Sequence, residues 1–410
     1  MQTTNTQNIK EVQKVPKLRF SEFFGDWFEK RMRDIAKINQ GLQIAISERY
    51  TEPIQGGYFY ITNEFLREKS EKKYYIKNPP ESVLCVDEDI LMTRTGNTGM
   101  VVTGVSGAFH NNFFKIKYKK NCDRWFLYYY LNLRQTQNML LKLAGTSTIP
   151  DLNHSDFYRI KINLPSLPEQ QKIASFLTVV DKKIQQLTRK KELLEQYKKA
   201  LMQKIFSQQI RFKDESGKDY QVWEEKHLED VFVSKKGYGL SKESIAENGK
   251  FKCILYGELY TTYSEVITNV INRTNVIEGC LSQKGDLLIP CSTTTTGIDL
   301  ANVTVLAEDE VRLGGDITIL RFTEFGDSLF YAYYLTHHKK YEMAKYAQGI
   351  TIVHLYFNHF KRIMIAIPPV EEQSKIGDFI LCIDEKMDRI KKQITETQQF
   401  KKGLLQQMFV

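Results

Sequence analysis

Several things are missing from this 410-residue chain. Its six cysteines (Cys85, Cys122, Cys253, Cys280, Cys291 and Cys382) form no CxxC pair and keep no regular spacing. That argues against a zinc site or a disulfide scaffold and for reduced thiols in a cytosol. No apolar run approaches the ~20 residues of a membrane span, so a cytoplasmic protein without a membrane partner is expected. The opening MQTTNTQNIKEVQK is polar and lacks the apolar core of a signal peptide, so residues 1–15 are expected to be a flexible tail. There is no GxxxxGK[ST] phosphate loop and no GxGxxG turn. His337, His338, His354 and His359 have no matching carboxylate or cysteine pattern and read as surface or packing residues. Two weak motif matches remain. Asn78-Pro79-Pro80 begins like an amino-methyltransferase signature but continues with Glu81, and reads as a turn. Asp214, Glu224 and Lys226 loosely satisfy a nuclease spacing that chance supplies in a chain with 26% charged residues. No catalytic residue, no metal ligand and no cofactor is therefore assigned to the chain. A hydrophobic content of 42% is that of a soluble globular protein, long enough for two to four domains.

What is present is a long internal repeat. LPSLPEQQKIASFLTVVDKKIQQL, running on to KKALMQKIF, returns at the end as IPPVEEQSKIGDFILCIDEKMDRI, running on to KKGLLQQMF. The copies align without a gap: Pro165 with Pro368, Glu169 with Glu372, Gln170 with Gln373, Asp181 with Asp384 and Phe206 with Phe409. This period is too long for a solenoid and suits a duplicated half-protein. Each copy reads as a long helix. Proline is confined to the start, where a missing N–H costs no helical bond. Ser166 and Glu169 have the spacing of a capping box in the first copy, whereas Pro369 replaces the serine in the second.

Apolar residues step by fours and threes along both copies, as in a heptad seam. The first carries Ile173, Leu177, Val180, Ile184 and Leu187; the second carries Ile376, Ile380, Ile383, Met387 and Ile390. Lys191 and Lys198 interrupt the first seam, Thr397 and Lys401 the second. About 36 residues at roughly 1.5 Å each give rods of roughly 55 Å. A narrow apolar stripe needs a partner in water, and the simplest partner of each rod is the other. Residues 171–208 carry nine basic and three acidic side chains, whereas 371–410 carry seven of each. Two readings of the basic rod stay open, a solvated helix face and attraction to a polyanion.

The repeat extends beyond the rods. An entry module around Phe20, Trp27 and Lys30 returns around Phe212, Trp223 and Lys226. Between module and rod, each half reads as short strands and turns. EDILMTRTGNTG echoes GDLLIPCSTTTTG; RWFLYYYL echoes SLFYAYYL, read as a helix; AGTSTIPDLNHSDFYRIKINLP echoes QGITIVHLYFNHFKRIMIAIPP. Residues 41–80 and 237–280 share little. Two copies of one frame with different contents suit recognition of two different things by one geometry. The loops offer Arg94, Asn97 and Thr98 in one half and Ser292, Thr293, Thr294 and Thr295 in the other. Gln40 and Gln43 flank Gly41, as Lys235, Lys236 and Tyr238 flank Gly237. Hydroxyl, amide and cationic groups of this kind bond base edges and phosphates, and they are the candidate DNA-binding residues. Ordinary polar turn chemistry is the competing explanation.

The doubled LPSLPEQQKIASFL and IPPVEEQSKIGDFI segments, the doubled RF…W…EK entry and the two strand-loop echoes together resemble the specificity subunit of type I restriction-modification systems. The resemblance spans LRFSEF to KKGLLQQMF. It implies an α+β chain of two mixed α/β target-recognition domains, joined by two long antiparallel helices in an intramolecular coiled coil with an internal twofold repeat. The expected limits are 16–164 and 209–366 for the domains, and 165–208 and 367–410 for the spacer helices. It implies double-stranded DNA as partner, one half of a split site read by each domain. It further implies two docked modification subunits that methylate adenine with S-adenosylmethionine, and restriction subunits that use ATP and Mg²⁺. Two other classes compete: a self-sufficient DNA methyltransferase or nuclease, and a protein-only coiled-coil scaffold.

Overall fold

The computed structural model describes residues 15–67, 70, 72–145 and 148–410. The expected N-terminal tail therefore lies, but for Val15, outside the described residues. The chain divides into two compact units, residues 1–187 with 393–410 and residues 188–392. Both repeated segments are single helices, Leu167–Phe206 and Val370–Gln407, called here the first and second rods. They are 40 and 38 residues long, slightly longer than the sequence suggested.

In the first unit, the start of the first rod packs beside the end of the second. Ile173, Leu177, Val180, Leu404, Met408 and Phe409 share a buried core with Trp27 and Phe126. The second unit holds the reciprocal pairing, with Ile376 and Ile380 beside Met202, Ile205 and Phe206. Rod start beside rod end makes the pairing antiparallel. Eight of the ten seam residues are buried; Ile184 and Met387 are half-buried.

Two of the lysines that interrupt the seams, Lys198 and Lys401, reach a carboxylate of the other rod. In the second unit the Lys198 ammonium lies 2.6 Å from Asp384 and over the Tyr333 ring, 5.0 Å from its centroid. Tyr333 donates to the same carboxylate at 2.7 Å. In the first unit Lys401 meets Asp181 at 2.6 Å and lies over Tyr129, which donates to Asp181 at 2.8 Å. Burial pushes both phenols above their ordinary range.

The start of each rod works differently from the capping reading. Glu169 and Glu372 lie in the first turns of the rods and are almost fully buried, and their carboxylates bind arginines. Arg19 donates to both oxygens of Glu169 at 2.8 Å, and Trp27 Nε1 adds a third bond. Arg211 and Trp223 repeat this on Glu372. The next residue fastens two further pieces. Gln170 accepts from the Asp123 N–H and donates to the Pro165 carbonyl. Gln373 does the same with Asp327 and Pro368. Asp123 and Asp327 in turn cap the aromatic helices Arg124–Leu131 and Ser328–His337. The Glu-Gln pair thus ties entry module, aromatic helix and rod together. Charge-assisted, bidentate bonds of this sort are the strong ones.

Each unit also closes its chain with a two-stranded ribbon, Phe28–Arg31 against Lys161–Leu164 and Glu224–His227 against Met364–Ile367. The main sheets correspond. In the first unit the order is Ala36–Gln40, Phe113–Tyr118, Ile90–Thr93, Val101–Val102. In the second it is Phe232–Lys236, Ile317–Phe322, Leu287–Pro290, Thr304–Leu306, with Val266–Ile267 added in parallel at the edge. Each unit adds a mixed sheet, built on Gly57–Ile61 in the first and Phe251–Ile254 in the second. All six cysteines are unpaired, and burial pushes the Cys122 thiol up to about 12. No helix among the described residues is long and apolar enough to cross a membrane.

Candidate nucleic-acid interface

In each unit two stretches meet beside the main sheet: the loop after its central strand, and the short segment preceding the ribbon and rod. Leu152 donates its N–H to the Arg94 carbonyl, and Leu355 donates to the Cys291 carbonyl. Both leucines are completely buried and so anchor the segment. The residue before each leucine fastens the loop, with different chemistry in the two units. Asp151 pairs with Arg94 at 2.6 Å and accepts from the Thr95 hydroxyl. His354 instead meets the Ser292 hydroxyl at 3.1 Å and stacks on Tyr356. The same Ser292 hydroxyl donates to Asp316 at 2.8 Å.

The candidate residues divide into inward and outward groups. Arg94 is held by Asp151 and lies over the Phe114 ring. Thr98 is buried, donating to the Pro150 carbonyl at 2.7 Å. Ser292 and Thr293 are buried in a short ribbon with Val353–His354. Asn97 is exposed in a left-handed turn with φ of 47°. Thr294 and Thr295 are exposed, and Thr295 donates to Asp299, which holds that carboxylate below its ordinary range.

The stretches after the first main-sheet strands lie close to neighbouring backbone. A side chain at Gly41 would meet the Phe109 carbonyl at 2.2 Å, and one at Gly237 the Gly314 carbonyl at 2.0 Å. Both positions therefore require glycine. Gln40 donates to the Asn111 carbonyl, and the Asn111 amide donates to Gln43. In the second unit Lys235, Lys236 and Tyr238 are exposed. Lys236 lies 3.3 Å from Asp316, which raises its ammonium above the ordinary lysine value and keeps it charged, and it sits over the Tyr356 ring. Lys236 and Tyr238 line one wall of an open groove of about 870 Å³, with Glu258, Thr261 and Asn272 among its other walls.

Lys236 and Ser292 thus converge through Asp316, although 56 positions separate them in sequence (292 minus 236). Sequence reasoning missed Asp316, His354 and Tyr356 in the second unit, and Asp151 and Asn111 in the first. A signal existed for two of them: Asp151 and His354 occupy matching positions before a leucine in the third echo. Among the described residues no group of three or more histidine, cysteine or acidic side chains could hold a metal ion. The arrangement offers amide, hydroxyl and ammonium groups on loops fastened by hydrogen bonds to buried segments. It can bind polar edges and anions.

The type I restriction modification DNA specificity domain matches residues 25–196 and again 220–398. The type I restriction enzyme MjaVIII specificity subunit of Methanocaldococcus jannaschii is 26% identical over 99% of this chain and 96% of its own length. The MjaIX specificity subunit of the same organism is 22% identical over 96% of this chain and 93% of its own. The crystal structure of the type I restriction-modification S subunit from M. genitalium superposes with a TM-score of 0.63 at 19% identity, covering 97% of this chain and 99% of that one. Frame and sequence agree: the chain belongs to the type I restriction-modification DNA specificity family, with two copies of its domain in tandem.

Proposed function

We propose that the chain is the reader of a type I restriction-modification complex in which each domain recognises one part of a split DNA site. The observation that carries this reading is the contrast within the repeat. The clamps at the rod starts recur residue for residue, whereas the loops beside the main sheets are fastened by different groups. The domains are taken as 16–164 and 209–366, with spacer helices at 165–208 and 367–410. Gln43, Asn97, Lys235, Lys236, Tyr238, Thr294 and Thr295 make the contacts to DNA. Gln40, Arg94, Thr98, Ser292 and Thr293 shape the surfaces that present them. The rods set the number of base pairs between half-sites. They also dock two modification subunits, which supply adenine methylation from S-adenosylmethionine, and restriction subunits supply ATP- and Mg²⁺-dependent cleavage. The chain itself is non-catalytic, and the complex acts in the cytoplasm.

The test is a ruler experiment on the reconstituted methyltransferase complex. Inserting one helical turn, about four residues, beside Lys190 lengthens the first rod by roughly 6 Å. The recognised half-sites should persist with a changed gap. An unchanged gap would refute the ruler.

A further inference from the structure

An apolar heptad seam does not define its own register. Displacing one rod by a heptad returns branched aliphatic residues to branched aliphatic neighbours, because the steps along Ile173, Leu177, Val180, Ile184 and Leu187 repeat. Something else must select one register. The glutamate clamps fix the start of each rod to its own domain, and what a clamp offers the arriving rod end is an apolar contact, the Trp27 ring against Phe409 just beyond the second rod. In the first unit a backbone bond from the Leu18 N–H to the Gln407 carbonyl holds the last turn of the second rod.

Two of the interrupted seam positions, Lys198 and Lys401, join the two rods within a unit. Lys198 is only 8% exposed and reaches Asp384 of the second rod, while Tyr333 of the aromatic helix donates to the same carboxylate. Lys401, Asp181 and Tyr129 repeat the arrangement in the first unit. Each lysine comes from the arriving rod end. Each aspartate comes from the clamped rod start, and each tyrosine from the domain. Three separate pieces therefore converge on one carboxylate. Displaced by a heptad, Lys198 would stand opposite Gly377 or Lys391, and Lys401 opposite Ala174 or Thr188, so each partly buried ammonium would lose its counter-ion, which is far more costly than a mismatched methyl group. Single polar groups in apolar seams are known to act in this way.

We propose that the Lys198–Asp384–Tyr333 and Lys401–Asp181–Tyr129 groups lock the register of the paired rods and thereby confine the complex to one gap between half-sites. This rests on the split-site reading above. These six are positioning residues and are none of the residues proposed to touch DNA.

The test uses the full chain with its methyltransferase subunits and a DNA library in which the two half-sites are separated by a range of gaps. Methylated adenine is counted for each gap. The first variant replaces both layers with apolar residues: Lys198→Met, Tyr333→Phe and Asp384→Leu, with Lys401→Met, Tyr129→Phe and Asp181→Leu. Replacing a buried ion pair by packed apolar residues is often tolerated, so this variant should assemble. Its methylation at neighbouring gaps should rise about ten-fold relative to the parental gap, a change equivalent to about 1.4 kcal/mol. A second variant, Asp384→Lys alone, should broaden the gap in the same way, and the exchanged pair Lys198→Asp with Asp384→Lys should restore it. A wild-type complex with no gap preference would refute the split-site reading itself. A gap-selective wild type whose assembled variants remain equally selective would refute the register lock. Failure of all the variants to assemble would assign these groups to stability alone and overturn it equally.

Discussion

The two units share their mechanical parts and differ in their contact surfaces. Arg19, Trp27, Glu169 and Gln170 in the first unit have counterparts in Arg211, Trp223, Glu372 and Gln373 in the second, with the same donors and acceptors. At the loops the correspondence stops at the backbone. A carboxylate on arginine and threonine in one unit stands where imidazole on serine stands in the other. The second unit also has a parallel edge strand and a basic-aromatic groove wall around Lys236 and Tyr238. The difference teaches that the frame was duplicated to hold, and the loops were left free to differ.

The largest effect expected from separating these roles is a change of specificity. Replacing residues 40–150 with the corresponding stretch of a relative should replace one half-site in the methylation pattern and leave the other. Altered methylation at both half-sites would break the division between frame and reader.

Next in size is the frame itself. Glu169→Ala leaves Arg19 and the Trp27 indole without their buried partner and should cost about 3 kcal/mol, as breaking a buried ion pair does. Glu372→Ala should do the same in the other unit. Hydrogen exchange should report each loss in its own unit, and matching losses would sharpen the claim that the clamps are equivalent.

A smaller effect is expected at the reading surface. Lys235→Ala should weaken DNA binding similarly across sequences and reduce the salt dependence of log K by about one unit of slope. Binding measured at several salt concentrations checks this.

A further effect is a pH dependence centred in the first unit. Burial, followed by repulsion from Arg49, holds the His110 imidazole down at about 4. Its ring nitrogen accepts from the Asn112 N–H, so the folded unit keeps it neutral. The unfolded chain binds a proton near pH 6.5, whereas the folded chain resists until about 4. Stability of the first unit should therefore fall as pH drops from about 6.5 to 4. His110→Asn should flatten that slope in a urea-melt series. The second unit has a weaker counterpart in His338, lowered by burial and by Lys339.

Much of this architecture was legible in the chain. The rods, the aromatic helices and the strands before the rods are local patterns doubled in order, and the doubling made weak signals reinforce one another. The seam residues were legible because period and burial go together in a helix. The clamps were not. Glu169 near a helix start looks like a capping residue, and only the fold brings Arg19 to it across 150 positions. Lys198 and Lys401 looked like gaps in a seam because their partners sit on another helix and in another segment. At the reading surface the exposed polar loops were visible as groups. Which hydroxyls turn inward, as those of Thr98 and Thr293 do, depends on neighbours such as Pro150 and Thr295 that no spacing rule identifies.

The central claim is that one chain reads two separated half-sites. Mapping N6-methyladenine across the genome of cells with and without this chain tests it most directly. The account predicts a split motif with a fixed gap that disappears when the chain is removed. A continuous motif, or a pattern indifferent to removal of the chain, would contradict it.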